Sequence, residues 1–243
     1  MTLVLIILIA LFGALVRTVF GFGEALVTMP LLALIGFNLQ TSTALIGVLG
    51  LLVALPATIK FRAQIDFAVV RRLVAGSLLG VPLGILLIKT VNRTLVLHLF
   101  GVFLICYGAY SLYKAFRKST GKVRLHAKGW DYVAGMISGI LGSAFNSHGV
   151  PVVMYGTLKR WPVDKMRGIA QAHFVCVGMI VVASQVASGF WSLEVVQLLL
   201  IIIPLLFVVI PFENWISAHI ARETLVKYIY VLLIIFGGLL FFR

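Results

Sequence analysis

The chain is a succession of apolar runs separated by a few polar residues each, and each half contains one run too short to cross a bilayer. The runs are Thr2 to Gly21, Ala25 to Gly36, Thr41 to Ile59, Phe67 to Ile88 and Arg93 to Phe116. After a basic stretch come Trp130 to Leu141, Pro151 to Leu158, Val163 to Ser188, Leu193 to Pro211 and Thr224 to Phe242. A helix crossing the hydrocarbon needs about 20 apolar residues. Ala25 to Gly36 has 12, roughly 18 Å at 1.5 Å per residue, against about 30 Å of hydrocarbon. Of the 243 residues, 62% are apolar and 11% charged, where a soluble domain averages about 45–50% and about 25%. Too little charge remains to coat a water-facing surface, so a soluble enzyme is excluded, and no length is left over for a soluble domain. The abundance of Leu, Ile, Val and Phe excludes a disordered chain, and Gly has no three-residue period. The expected fold is an all-α polytopic membrane protein with 8–10 membrane segments.

Internal similarity organises these segments. Gly13 aligns with Gly135 and Gly108 with Gly237, Ile65-Asp66-Phe67 pairs with Leu193-Glu194-Val195, and Pro82 pairs with Pro211, at an offset growing from 122 to 129 residues. The reading is a first transmembrane repeat over 1–116, a basic linker over 117–129 and a second repeat over 130–243, each of about five helical elements. Five is odd, so the repeats are expected to be inverted across the membrane, an arrangement common in transporters. Charge gives the orientation. One side collects Lys60, Arg62, Arg71, Arg72, Lys114, Arg117, Lys118, Lys122, Arg124, Lys128, Lys159, Arg160, Lys165, Arg167, Arg222 and Lys227, and the other only Lys89, Arg93 and Arg243. By the positive-inside rule the first side is cytoplasmic, which places the linker inside and both termini outside. Trp130, Trp161, Trp191 and Trp215 fall at segment ends, as an interfacial belt requires. Thus the net charge of +13 reports topology rather than nucleic-acid binding, which needs a hydrophilic body. Cys106 and Cys176 lie inside apolar runs and read as packing residues. The first run has neither the basic start nor the cleavage site of a signal peptide and is kept as part of the fold.

Chemistry is expected at the chain breaks that precede the short segments, Gly21-Phe22-Gly23-Glu24 and Gly142 to Gly149. Backbone that leaves a helix at membrane depth strands N–H and C=O groups unless it lines a cavity or is buried in protein. Paired breaks in two halves are therefore the best pointer to a binding site. The segments after them begin helices, whose free N–H groups and dipoles attract anions. Candidate binding residues are Arg17, Gly21, Gly23, Asn146, Ser147, His148 and Gly149, joined by Thr41 and Ser42 in the first half and Arg167 and Gln171 in the second. Bland readings stand beside these: glycines that only permit close helix packing, Arg17 snorkelling from a helix end, Thr41 and Ser42 as an N-cap. Glu24 is the sharper anomaly, because a carboxylate at membrane depth is usually paired or protonated. At an offset of 124 it falls opposite His148, and these two are the candidates for proton coupling; a static Glu24–Arg17 ion pair is the alternative. His98, His126, His173 and His219 show no metal-ligand spacing, so neither metal nor cofactor is expected. No Walker A loop or H-E-x-x-H is present, and adjacent Ser147 and His148 make a poor nucleophile and base. An enzyme is not expected.

Several stretches resemble the sulfite exporter TauE/SafE family of membrane transporters over nearly the whole chain. They are Leu15-Val16-Arg17-Thr18-Val19-Phe20-Gly21-Phe22-Gly23 with Pro30-Leu31-Leu32, Gly80-Val81-Pro82-Leu83-Gly84, Asn146-Ser147-His148-Gly149-Val150-Pro151-Val152-Val153-Met154-Tyr155, and Arg167-Gly168-Ile169-Ala170-Gln171. The resemblance implies an exporter or permease of two related halves that moves sulfite, sulfonates or similar organosulfur anions. Glu24 departs from the pattern, standing where the family usually has Gly or an apolar residue. The combined expectation is an inner-membrane secondary transporter working by alternating access around a midplane site. Its partners would be a small anion, protons, the bilayer and a second copy of the chain in a homodimer. An assembly protein without a polar cavity and an intramembrane transferase are the rival readings.

Overall fold

The computed structural model describes residues 2–20, 23–116, 125, 127–219 and 222–243. Among them the chain forms ten α-helices and no strand: α1 Thr2–Phe20, α2 Glu24–Leu34, α3 Leu39–Lys60, α4 Phe67–Thr90, α5 Arg93–Phe116, α6 Gly129–Phe145, α7 Gly149–Leu158, α8 Val163–Ala187, α9 Leu193–His219 and α10 Arg222–Leu239. These segments are rich in Leu, Ile and Val, and in an apolar medium only a helix pairs each N–H within its own segment. Polar side chains set several starts. Asn38 accepts from Gln40 N and Thr41 N at 2.9 and 3.0 Å to open α3; Asp66 accepts from Val69 N at 3.2 Å to open α4. Four helices, α3, α4, α5 and α8, are long and apolar enough to cross a membrane. Large apolar side chains such as Leu79, Leu200, Phe207 and Val208 face outward, while Ser77, Ser138, Ser143, His173 and Gln185 are buried. Polarity thus runs from inside to outside, as a lipid environment demands.

The short helices turn back. Gly13 packs on Thr28 and Arg17 on Glu24, so α2 runs antiparallel to α1. Gly142 packs on His148 beside the break, while Tyr155 and Lys159 at the far end of α7 reach Asp131 at the start of α6. Each break is therefore the tip of a helical hairpin, with about 16 Å of α2 and about 15 Å of α7 returning from it.

Helix packing follows a pattern preserved when α1–α5 are exchanged for α6–α10. Helix α1 lies on α9 as α6 lies on α4, α2 lies on α3 as α7 lies on α8, and α3 lies on α9 as α8 lies on α4. The pairs α3–α8 and α5–α10 map onto themselves. Both run antiparallel: Gly47 meets Val182 and Gly178 meets Leu51, while Gly101 meets Gly237 and Gly108 meets Tyr230. Each helix of the first five has a neighbour in the second five, so the two sets interlock. The tightest seam joins α4 and α6. A Cβ on Gly76, Gly80 or Gly84 would fall 2.1, 2.1 or 2.3 Å from the carbonyl oxygens of Tyr132, Met136 and Ile140; only glycine lets these backbones meet. At one end of the bundle Arg93 donates to Phe37 O at 3.2 Å and Arg243 to Leu34 O. At the other, Lys165 pairs with Asp66 at 2.9 Å and Arg167 stacks on Phe61.

Candidate functional site

The two hairpin tips meet on one cavity. Its walls carry Gly23, Glu24, Ala25 and Leu26 from the start of α2, and Asn146, Ser147, His148, Gly149 and Val150 around the start of α7. Arg17, Ile46, Gly50 and Phe174 close it from α1, α3 and α8. The first N–H groups of a helix have no intrahelical acceptor, so two positive helix ends face the same small volume. Local chemistry produces both tips. Gly23 sits at φ 96°, a left-handed conformation that glycine adopts without Cβ strain, and it lets the chain reverse into α2. Asn146 at φ 52° caps α6 in the same region, its N–H donating to Gly142 O at 2.8 Å in the five-to-one bond of an αL cap, and Ser147 N donates to Leu141 O at 3.0 Å. Ser138 Oγ then donates to His148 O at 2.6 Å, tying the second tip down.

Arg17 Nη1 lies 3.3 Å from Glu24 Oε2, and both side chains are buried. The guanidinium also stands over the Phe174 ring, 5.6 Å from its centroid, a cation–π contact. The pair has room because α3 presents glycine here. A Cβ on Gly50 would come 3.0 Å from Arg17 Nη1 and 3.6 Å from Glu24 Oε2. Opposite, Asn146 Nδ2 donates to Thr43 O and the His148 ring packs edge-on to Phe174 at 5.0 Å. Three buried acceptor-capable atoms of these side chains have no partner among the described residues: Glu24 Oε1, Asn146 Oδ1, which lies against Gly47, and His148 Nδ1, which lies against Gly142. Ser147 Oγ donates to Phe145 O at 3.2 Å, so the hydroxyl is engaged with backbone. The cavity measures about 20 Å³, room for about one water molecule.

Seven expected site residues come together here: Arg17, Gly23, Glu24, Asn146, Ser147, His148 and Gly149. Gly21 lies outside the described residues, as does nearly all of the linker. Four others stand elsewhere. Thr41 and Ser42 lie inside α3, where their hydroxyls donate to Asn38; Asn38, not either of them, is the N-cap. Arg167 lies beside Phe61, with Asp164 4.0 Å away, at the basic end of the bundle. Gln171 is buried in α8 away from the cavity wall. Phe174 and Gly50 were not anticipated, although they are separated by the same 124 residues that relate Glu24 to His148. Among the described residues no group of three His, Cys, Asp or Glu side chains is disposed to hold a metal.

Long apolar helices around a buried polar cavity, with broken helices supplying its walls, define the class of polytopic membrane transporters. Within that class the chain belongs to the sulfite exporter TauE/SafE family, whose family model matches residues 6–240. Comparison with curated proteins and with solved structures returns no match.

Proposed function

We propose that the protein is an inner-membrane secondary transporter of small sulfur oxyanions, with the cavity between the hairpin tips as its transport site. The observation that carries this reading is the convergence of two half-helix N-termini, backed by Arg17, on one buried volume. An oxyanion there accepts backbone N–H groups and sits in the positive field of both dipoles, while the Arg17 charge beside it is offset by Glu24. Sulfite is larger than the present void, so loading requires the tips to part, first toward one side and then toward the other. Two inverted repeats supply the two equivalent motions: α1–α2 hinges toward the end that carries Arg93 and Arg243, and α6–α7 toward the basic end. By the charge rule the basic end, with Lys60, Arg62, Lys165 and Arg167, faces the cytoplasm, and both termini lie outside. Glu24 and His148, at matching places in the two hairpins, are the groups through which a proton gradient couples to anion movement. An assembly protein has no use for such a cavity, and the Ser147 hydroxyl is not held by a base, as a transferase nucleophile would require.

Flux of radiolabelled sulfite in proteoliposomes, with and without a pH gradient, tests the reading. The expected result is saturable flux that responds to the gradient and, in Glu24→Gln, exchange that persists without the gradient response. Absence of saturable flux for any sulfur oxyanion overturns it.

A further inference from the structure

Outside the walls of the anion cavity, two amide side chains from α8 and the second tip converge on Gly47 of α3. A Cβ there would come 3.0 Å from Gln185 Oε1, 3.2 Å from Asn146 Oδ1 and 3.4 Å from a Val182 methyl. Glycine thus lets both oxygens approach one place on the α3 backbone. Both side chains are buried, Gln185 at 0% and Asn146 at 8% exposure. Asn146 Nδ2 donates to Thr43 O, which fixes the amide and leaves Oδ1 as an acceptor beside Gly47. Asn146 Oδ1, Gln185 Oε1 and Gln185 Nε2 all lack a partner among the described residues. Buried polar atoms are ordinarily satisfied, and leaving them unsatisfied is costly. The sign of the surroundings indicates what satisfies them. Asn146 is the C-cap of α6, where the helix dipole is negative and the last carbonyls have no intrahelical donor. Thr43 Oγ1, one turn before Gly47, lies 3.4 Å from Ala144 O, so the end of α6 abuts this stretch of α3. Gly149 and Val150, which begin α7, line the anion cavity instead. Arg17 and Glu24 reach α3 one turn further on, at Gly50, and are paired with each other at 3.3 Å.

We propose that Asn146 Oδ1 and Gln185 Oε1, at the carboxyl end of α6, bind a sodium ion. Hard cations take oxygen ligands, and in transporters helix carboxyl ends and unwound carbonyls near the midplane hold the coupling cation. Neutral amide oxygens suit a single charge. A divalent ion calls for carboxylates, and the atoms nearest the Gly47 Cβ position include none. The ion joins the tip of the second hairpin, through Asn146, to α8, through Gln185. Because Asn146 also borders the anion cavity, cation and anion are neighbours of opposite charge, and each favours binding of the other. The site stands apart from the oxyanion cavity and does not depend on what that cavity carries.

The experiment follows thermal unfolding of the purified protein in detergent, titrated with sodium chloride against choline chloride at constant ionic strength. Sodium should raise the unfolding temperature saturably, by about 2–4 °C. Gln185→Met keeps an unbranched side chain while removing both polar atoms, and Gly47→Ala sets a methyl against both oxygens; each should abolish the sodium response. Gln185→Glu adds a negative charge and should saturate at about tenfold lower sodium. Equal unfolding temperatures in the two salts overturn the proposal and give the amides to a buried water. So does a sodium effect that rises without saturating, or one that survives in Gln185→Met. These results leave the oxyanion reading standing, because no sulfur oxyanion enters the measurement. The titration of the native protein decides the matter even where a variant does not fold.

Discussion

Arg17 and Glu24 illustrate how a single pair can hold a chain break in place. They stand on opposite arms of the α1–α2 hairpin, 3.3 Å apart and buried, so the loss of either partner leaves a charge with no solvent to receive it. Removing one member of a buried pair costs about 3–5 kcal/mol, whereas an apolar replacement of both is often close to neutral. Arg17→Met should therefore lower the thermal unfolding temperature in detergent sharply, and Arg17→Met with Glu24→Met should recover most of the loss. Additive losses in the double variant would show that the two groups act separately. The Asp66–Lys165 pair at the basic end makes an instructive contrast. The hydrogen bond from Lys165, followed by that from Val69 N, holds the Asp66 carboxyl below its ordinary range. Because its folded value is depressed, the contribution is present above the unfolded value of about 3.9 and is lost as the pH falls through the folded value. The pair is about one-third exposed, so solvent screening limits it to about 0.2–1 kcal/mol. Asp66→Asn should melt slightly below the native protein at pH 7 and together with it in strong acid. A difference that persists in strong acid would assign the effect to the helix cap instead.

Among the elements, α4 and α6 depend most on what their residues lack. A Cβ at Gly80 would stand 2.1 Å from the Met136 carbonyl oxygen, with backbone on both sides and no flexible side chain to yield. Overpacking a tight contact costs about 1–3 kcal/mol or more. Gly80→Ala should therefore reduce the yield of folded protein measured by size-exclusion chromatography. Gly238→Ala, with nothing within 4 Å of its Cβ, should leave the yield unchanged. Equal behaviour of the two variants would contradict the seam. These elements were legible in the sequence because apolar length and punctuation are nearly the whole determinant of a membrane helix. The segment expected from Phe67 became Phe67–Thr90, and that expected from Arg93 to Phe116 matched at both ends. The α6 segment ended four residues later than expected, at Phe145, because Gly142, read as the start of the break, continues the helix and meets His148 across the tip. That the short helices turn back along their predecessors was not legible, since charge parity is the same either way; contacts such as Gly13 with Thr28 show it. The misplaced Thr41, Ser42, Arg167 and Gln171 share that origin. They sit near the starts of α3 and α8, and the depth of those starts follows only once the hairpins are known to turn back. Arg17, Glu24 and His148 were legible because a titratable group is conspicuous in an apolar run. Phe174 was not, being one aromatic among many.

For the whole molecule, the two hairpins enter the bundle from opposite ends and meet at their tips, so a cavity between them can be closed to both sides at once. That follows from the interlocked packing, in which α3–α8 and α5–α10 lie on the axis relating the two sets of helices. On the proposed function, alternating access would consist of parting one hairpin from the common framework while the other stays seated. The most direct measurement uses Ser147→Cys in a Cys106→Ala, Cys176→Ala background, with the thiol on the cavity wall probed by a membrane-impermeant thiol reagent added from one side or the other. The account predicts labelling from either side over time, slowed from both by ethanesulfonate or methanesulfonate at saturating concentration. Labelling from one side only, or labelling from both that neither sulfonate slows, would contradict it.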